Sequence, residues 1–275
     1  MRYRNLDEWL AWQESLNPKA IDLGLERVAR VLSQAGYEDH FSCPMIAVAG
    51  TNGKGSVVVM LESIARAHGL KTCAYTSPHL LRYNERIRID GCCIDDQSLC
   101  EAFERIDQAR HDIGLTYFEF GTLAAIDLFR SADPDLVIME IGLGGRLDAV
   151  NIMQSDIAVI TTIAIDHTDW LGSDREAIGF EKAGIMRPGC PAICGDADPP
   201  QSLLVHAATI GAPLKLIGKH FRAESATGQW NFYAERDHID ALPAPVLQGE
   251  FQLTNRGHVE QLIQDARNDA AGDSL

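Results

Sequence analysis

The sequence has no long hydrophobic run. Its longest nearly apolar stretches, such as Ile157–Ile165, reach only about half the length of a membrane-crossing helix. The opening residues, MRYRNLDEWLAW, hold no apolar core and no small-residue cleavage site, so no secretory signal is expected. Positive charge is scarce: 24 Lys and Arg stand against 39 Asp and Glu, a formal net charge of −15. Such a chain repels polyanions, which excludes nucleic acid and an anionic membrane surface as expected partners. Any phosphate it binds must be held by a local arrangement that overrides this field. The seven cysteines form no Cys-x-x-Cys pair, and Cys190 and Cys194 have no second Cys/His pair to complete a zinc-finger spacing. Reduced thiols in the cytoplasm are the expectation. Internal repeats and low-complexity tracts are also missing.

What is present is ordinary globular composition. Hydrophobic residues make up 46% and charged residues 23% of 275, enough for one large α/β domain or two small ones. The apolar positions Leu6, Trp9, Leu10 and Leu16, then Leu25, Val28, Ala29 and Leu32, predict two helices separated by Pro18. Met45–Ala49, Thr72–Thr76, Asp135–Ile141 and Asp156–Ile163 read as buried strands. Helical spacing follows Gly55 and recurs over Leu99–Ala109 and Phe118–Phe129. Ser173 and Glu176 have capping-box spacing for a helix reaching about Ile185. Glu85–Ile94 alternates around an Asp90-Gly91 turn, as a hairpin does. Pro191–Cys194, a helix near Leu203–Ile210, and Leu214–Ile217 continue the alternation. It predicts an α/β fold with a mainly parallel sheet and flanking helices. Phe221–Ala223 and Trp230–Tyr233 predict a small antiparallel hairpin near the C-terminus.

The strongest local signal is Ala47-Val48-Ala49-Gly50-Thr51-Asn52-Gly53-Lys54-Gly55-Ser56. It lies between an apolar strand and an amphipathic helix. Glycines let successive N–H groups face one point, and the helix N-terminus adds positive potential there. Lys54 can reach terminal phosphates, and Ser56 can offer a hydroxyl to Mg²⁺. The strict P-loop pattern is not met, because Val48 and Gly55 replace its first Gly and its final Ser or Thr.

Ligands of open α/β sheets bind beyond the carboxyl ends of the strands. Ser77-Pro78-His79, Glu140 with Gly142–Arg146, and Asp166-His167 all sit at such ends. A Glu in an apolar strand is costly unless paired or bound to a metal. Glu140 therefore reads either as a Mg²⁺ ligand or as a partner of Arg146 or Lys182. His167 reads as a structural hydrogen-bonder or a ligand. Lys182 alone reads as a lysine whose stem lies along an apolar face.

Together these motifs resemble the dihydrofolate synthase / folylpolyglutamate synthase family of Mur ligases. The resemblance is carried by Ile21–Arg27 (IDLGLER), Gly50–Ser56, Thr76–Arg86 (TSPHLLRYNER), Thr116–Thr122 (TYFEFGT), Glu140–Asp148 (EIGLGGRLD), Ile165–Gly172 (IDHTDWLG) and Glu181–Ile185 (EKAGI). It runs from about residue 3 to Asn255 and implies the central ATP-binding domain of a Mur ligase. It implies ATP-dependent addition of L-glutamate to dihydropteroate or folate through an acyl phosphate. Carried over position by position, Thr51, Asn52, Gly53, Lys54, Gly55, Ser56 and Asn255 would hold ATP. Ser56, Ser77, Glu140, His167 and a carbamylated Lys182 would hold Mg²⁺, with Lys54, Glu140, His167 and Lys182 as the catalytic set. Asp22, Leu23, Gly24, Thr116, Tyr117, Phe118, Glu119, Leu147, Asp148 and Ala149 would face the pteroate. The family is usually monomeric.

The chain also departs from the family. Phe180 stands where an Arg often precedes Glu-Lys-Ala-Gly, and Val150 where Thr is frequent. The family carries a further C-terminal domain with an ATP-binding Arg and an Asp-x-Ala-His-Asn-Pro-like motif. Residues 256–275 contain neither. The expectation is an ATP-binding domain over residues 1–255, an atypical polar tail over 256–275, and no C-terminal ligase domain. Such a chain would bind ATP weakly and ligate poorly or not at all. It would leave apolar surface uncovered near Leu143, Trp170 and Leu171.

Overall fold

The computed structural model describes residues 2–17, 19, 21–226, 229–234 and 238–243. Two compact units divide the chain: Met1–Ala47 with Glu62–Asp156, and Val48–Leu61 with Ile157–Leu275. The division falls inside strand β1 (Met45–Ala49) and inside helix α3 (Lys54–Ala67).

The first unit begins with α1 (Leu6–Leu16) and α2 (Glu26–Gln34). After α3 come β2 (Thr72–Tyr75), β3 (Ile87–Ile89), β4 (Cys92–Cys93), α4 (Asp96–Arg110), α5 (Tyr117–Ala132) and β5 (Leu136–Glu140). Here the strand order is β4-β3-β2-β5-β1. β2 runs parallel to β5, with Thr72 opposite Leu136 and Tyr75 opposite Met139. All of β1 and β2 is buried, as is β5 beyond Leu136. That explains why these strands are unbroken apolar runs: a parallel strand covered on both faces has no polar alternation. The expected hairpin is β3 and β4, antiparallel, with Asp90 at φ 49° and Gly91 at φ 75° in its turn. Two successive positive φ values are what a two-residue turn with the right twist requires.

α1 is fixed chiefly by Trp9, its largest fully buried side chain. Trp9 lies 5.9 Å from Phe103 on α4 and 6.5 Å from Phe120 on α5, ring centre to ring centre. Asn5 caps the helix by accepting from the Glu8 amide at 2.9 Å.

The second unit holds β6 (Ile157–Ile160), α6 (Thr168–Leu171), α7 (Arg175–Ala183), β7 (Ala192–Cys194), α8 (Gln201–Ile210) and β8 (Leu214–Leu216). Its strand order is β1-β6-β7-β8, and β7 runs parallel to both neighbours. The C-terminal hairpin is larger than expected. β9 (Phe221–Ala226), β10 (Gln229–Ala234) and β11 (His238–Pro243) form an antiparallel sheet of three strands. The third strand escapes sequence reading because it is mostly exposed and lacks a run of apolar residues.

The capping of α7 also differs. Asp174, not Ser173, accepts from a first-turn amide, that of Ala177 at 2.8 Å. Glu176 is used elsewhere: its carboxylate takes the N–H groups of Gln201 and Ser202 at 3.0 and 2.7 Å. Those amides open α8, whose own N-cap is Pro200 and has no side-chain acceptor to offer. Leu171 is buried, while Trp170 is exposed, so only part of the expected apolar surface is open. Among the described residues no helix is long and apolar enough to cross a membrane. Residues 244–275, including Asn255 and the polar tail, lie outside the described residues.

Replacing Trp9 with Ala should cost about 3–5 kcal/mol, the usual range for emptying a large aromatic site. Urea unfolding of Trp9→Ala and wild type at equal pH measures the difference.

Candidate active site

The phosphate loop belongs to the second unit. β1 ends at Ala49 and α3 begins at Lys54. Gly50 sits at φ 144°, and a Cβ there would come within 1.8 Å of Thr161 Oγ1. No larger residue fits without moving the loop. The segment after β6 holds the loop by main-chain and side-chain bonds. Thr51 N–H donates to Thr162 O at 2.7 Å, and Thr161 Oγ1 donates to Asn52 O at 2.6 Å. Asn52 N–H donates to Thr162 Oγ1 at 3.2 Å, and Ala164 N–H to Thr51 Oγ1 at 3.1 Å.

Two consequences follow for binding. The amides of Thr51 and Asn52 are committed to Thr162, on the segment after β6. The amides of Gly53, Lys54 and Gly55 donate to no described residue, and these are the donors left for an anion at the head of α3. Lys54 lies folded over its own loop, with Nζ donating to Gly50 O at 2.9 Å and Thr51 O at 3.4 Å. A phosphate at the helix head would compete with these carbonyls for the ammonium. Ser56 lies in the first turn of α3.

Lys182 and His167 belong to the same unit. Lys182 is only 4% exposed, and its amine makes no hydrogen bond or ion pair with a described residue. Burial, then repulsion from Lys54, pushes its pKa down to about 8, against a small opposing pull from Asp166. A buried amine that loses its proton near neutrality is a nucleophile of the kind that CO₂ converts to a carbamate. His167 has left-handed backbone, φ 49°, and caps α6. It is 52% exposed and lies 3.6 Å from Asp166 Oδ2.

The remaining candidates belong to the first unit. Glu140 closes β5 and is buried. Its Oε2 accepts from Ser77 N–H at 3.2 Å, next to a cis Ser77–Pro78 bond. This brings together two of the expected metal ligands. The three expected pteroate segments are also tied into one cluster. Gly24 N–H donates to Leu147 O at 3.4 Å. Arg27 pairs with Asp22 at 2.9 Å and with Glu119 at 2.8 Å.

Several of these residues have structural work. Thr116 and Glu119 form a reciprocal capping box for α5, and both are buried. Asp148 is buried, with its carboxylate accepting from Leu143 N–H at 2.8 Å and Val150 N–H at 2.9 Å. Tyr117 and Phe118 are half-buried and offer ring surface. Phe118 packs against Gly142, where a Cβ would meet its ring at 2.5 Å.

Sequence reasoning gave Arg27 and Arg86 no role, although both lie in quoted motifs. Arg86 is buried, donates from Nε to His79 Nδ1 at 2.9 Å, and lies 5.2 Å from the Tyr83 ring and 5.6 Å from the Tyr117 ring. Burial and the Arg86 cation hold the His79 pKa below its ordinary value. The available signal was an arginine directly before the strand residue Ile87. Thr161 and Thr162 were also missed, because nothing in a Thr-Thr pair after a strand distinguishes a loop clasp from a turn. Among the described residues no three His, Cys, Asp or Glu stand close enough together to hold a metal. A metal here needs Ser, carbamate or phosphate oxygens, and the donors present, a Ser56 hydroxyl and a buried amine ready for CO₂, suit that chemistry.

The Lys182 amine gives a pH test. Its folded pKa is lowered from 10.5 to about 8, so between these values the unfolded chain holds a proton that the folded chain has lost. Stability therefore rises with pH across this window, and below it the penalty, roughly 3 kcal/mol, is fully present. In CO₂-free buffer Lys182→Met should be more stable than wild type at neutral pH. The gap should close as pH rises toward 10, measured by urea midpoints.

Comparison with known proteins places this geometry. The family model for the Mur ligase middle domain matches residues 48–253. The dihydrofolate synthase/folylpolyglutamate synthase of Escherichia coli (strain K12) is 47% identical over 243 residues, 88% of this chain and 57% of that protein. The folylpolyglutamate synthase of Lacticaseibacillus casei is 35% identical over 224 residues, 76% of this chain and 52% of that protein. The structure of E. coli FolC in complex with DHPP and ADP superposes with a TM-score of 0.89 at 44% identity, covering 94% of this chain and 62% of that one. A bifunctional folylpolyglutamate synthase/dihydrofolate synthase with Mn, AMPPNP and L-glutamate bound gives a TM-score of 0.86 at 44% identity, covering 95% and 62%. The chain thus spans a little over half the length of the curated relatives it matches. By the extent of the family match, with the phosphate loop inside it, the chain belongs to the Mur ligase middle-domain family.

Proposed function

We propose that this chain serves ATP-dependent ligation of L-glutamate to dihydropteroate or folate. The observation that carries the reading is the likeness, across 94% of the chain, to a FolC structure that holds DHPP and ADP. In the reaction a carboxylate oxygen of the acid attacks the γ-phosphorus of ATP, and ADP leaves. The amine of glutamate then attacks the acyl carbon, loses a proton, and phosphate departs. Such chemistry needs positioning and charge neutralisation more than a covalent nucleophile from the protein.

The residues take roles that their surroundings support. The head of α3 offers the amides of Gly53, Lys54 and Gly55 to phosphate. Lys54 exchanges its loop carbonyls for phosphate oxygens and neutralises the charge that develops there. By family resemblance alone, Asn255 would join the nucleotide contacts. Mg²⁺ would supply further charge neutralisation, held by Ser56, Ser77, Glu140, His167 and a carbamylated Lys182. Tyr117 and Phe118 offer ring faces to a pterin. Asp22, Leu23, Gly24, Thr116, Glu119, Leu147, Asp148 and Ala149 shape the loops around it. The reaction would run in the cytoplasm, where the thiols stay reduced.

A second reading is nucleotide and pteroate binding without ligation by this chain taken alone, which spans 57% and 52% of the length of two relatives. One experiment tests both. The purified chain is titrated with Mg-ATP by calorimetry, then assayed for phosphate release dependent on ATP, dihydropteroate and glutamate together. The first reading expects binding and release. Binding without release supports the second. Lys54→Ala should weaken binding at least about tenfold, as for loss of a charged hydrogen bond. A wild-type chain that binds no nucleotide contradicts both.

A further inference from the structure

We propose that Arg175 and Asp196 form a positioning clamp on the segment that braces the phosphate loop and carries His167. The proposal rests on the nucleotide-binding reading above for its consequence, but not for its geometry. Thr161, Thr162 and Ala164 all bond to the loop at Thr51 or Asn52. Ile163, in their midst, turns both of its backbone groups the other way. Its N–H donates to Asp196 Oδ2 at 2.7 Å, and its carbonyl accepts from Arg175 Nε at 2.9 Å. The two clamping side chains also hold each other, with Arg175 Nη2 donating to Asp196 Oδ1 at 3.1 Å.

The clamp joins three elements. Asp196 follows β7, and Gly195 N–H bonds to Ile160 O at 2.9 Å, so Asp196 is carried on the sheet. Arg175 is the first residue of α7, and Lys182 lies seven positions on, two turns along nearly the same face. One arginine therefore ties the helix bearing the buried amine to the segment bearing His167. The Asp196 side chain is 12% exposed. Its charge-assisted bonds are therefore little screened and stronger than neutral ones. Arg175 has a second acidic partner, Asp198, at 3.3 Å, but that carboxylate is 95% exposed and touches no part of Ile163. An exposed pair of this kind contributes little. The two aspartates thus share an arginine and differ in whether they grip the segment.

The signature of a clamp is local order that the nucleotide site depends on. Asp196→Asn keeps shape but leaves one acceptor oxygen for the two carboxylate positions now in use. Arg175→Gln removes the bond to the Ile163 carbonyl. Both variants, Asp198→Asn and wild type are compared by amide hydrogen exchange without ligand, and by calorimetric binding of Mg-ADP. In Asp196→Asn and Arg175→Gln, exchange at residues 163 and 164 should rise at least about tenfold, with β1 and β7 unchanged. Mg-ADP binding should weaken by a similar factor, and dihydropteroate binding should stay within about twofold. Asp198→Asn should match wild type within about twofold in every readout. Unchanged exchange at residues 163 and 164 in both clamp variants would overturn the proposal. So would equal effects of the two aspartate substitutions, or loss of the whole fold, which would make the pair a general structural one. A wild type that binds no Mg-ADP would refute the nucleotide reading, while the exchange result would still decide the clamp.

Discussion

The close approach of Gly50 to Thr161 is the constraint on which the second unit depends. A backbone carbon meets a side-chain oxygen with no room for a Cβ, and the glycine lies in a backbone region that other residues rarely adopt. That contact sets the loop against the segment after β6. Once set, Thr161, Thr162 and Ala164 can satisfy the loop's inner polar groups, which leaves the later amides at the head of α3 without partners among the described residues. The loop is thereby shaped before any ligand arrives. Preorganised donors of this kind cost little to use when charge arrives.

On the proposed reading, this is how a chain of net charge −15 would hold phosphate. Long-range attraction is absent, so short-range geometry must suffice. Lys54 and the helix head provide it. Lys182 adds a second potential charge in a place too dry to keep it easily, and its neighbour Lys54 makes protonation harder still. Two lysines of one unit thus settle into different states. One rests its Nζ on the carbonyls of Gly50 and Thr51, and the other is buried with its pKa lowered to about 8.

The main elements were legible because burial on both faces writes itself as unbroken apolar runs. Met45–Ala49, Thr72–Tyr75, Leu136–Glu140 and Ile157–Ile160 all lie where such runs predict strands. The Asp90-Gly91 turn was legible because few dipeptides accept two positive φ values. Exposed strands leave no such record, which is why β11 went unread. Capping was read by spacing alone, and spacing could not tell that Glu176 serves the head of α8 rather than its own helix. The partners hardest to foresee are distant ones. Arg27 and Glu119 are 92 residues apart, and Asn52 and Thr162 are 110 apart. Motif resemblance marked Arg27, Glu119 and Asn52 but not Thr162, and only folding joins the partners.

On the proposed function, a pre-shaped loop, and not net charge, binds the nucleotide. The most direct measurement is Mg-ADP affinity of Gly50→Ala against wild type, with far-UV spectra to confirm that both are folded. The added Cβ would have to displace Thr161 and strain the backbone, so a folded Gly50→Ala chain should lose at least about a hundredfold in affinity, as strain of a few kcal/mol implies. Wild-type affinity in that variant would contradict the account.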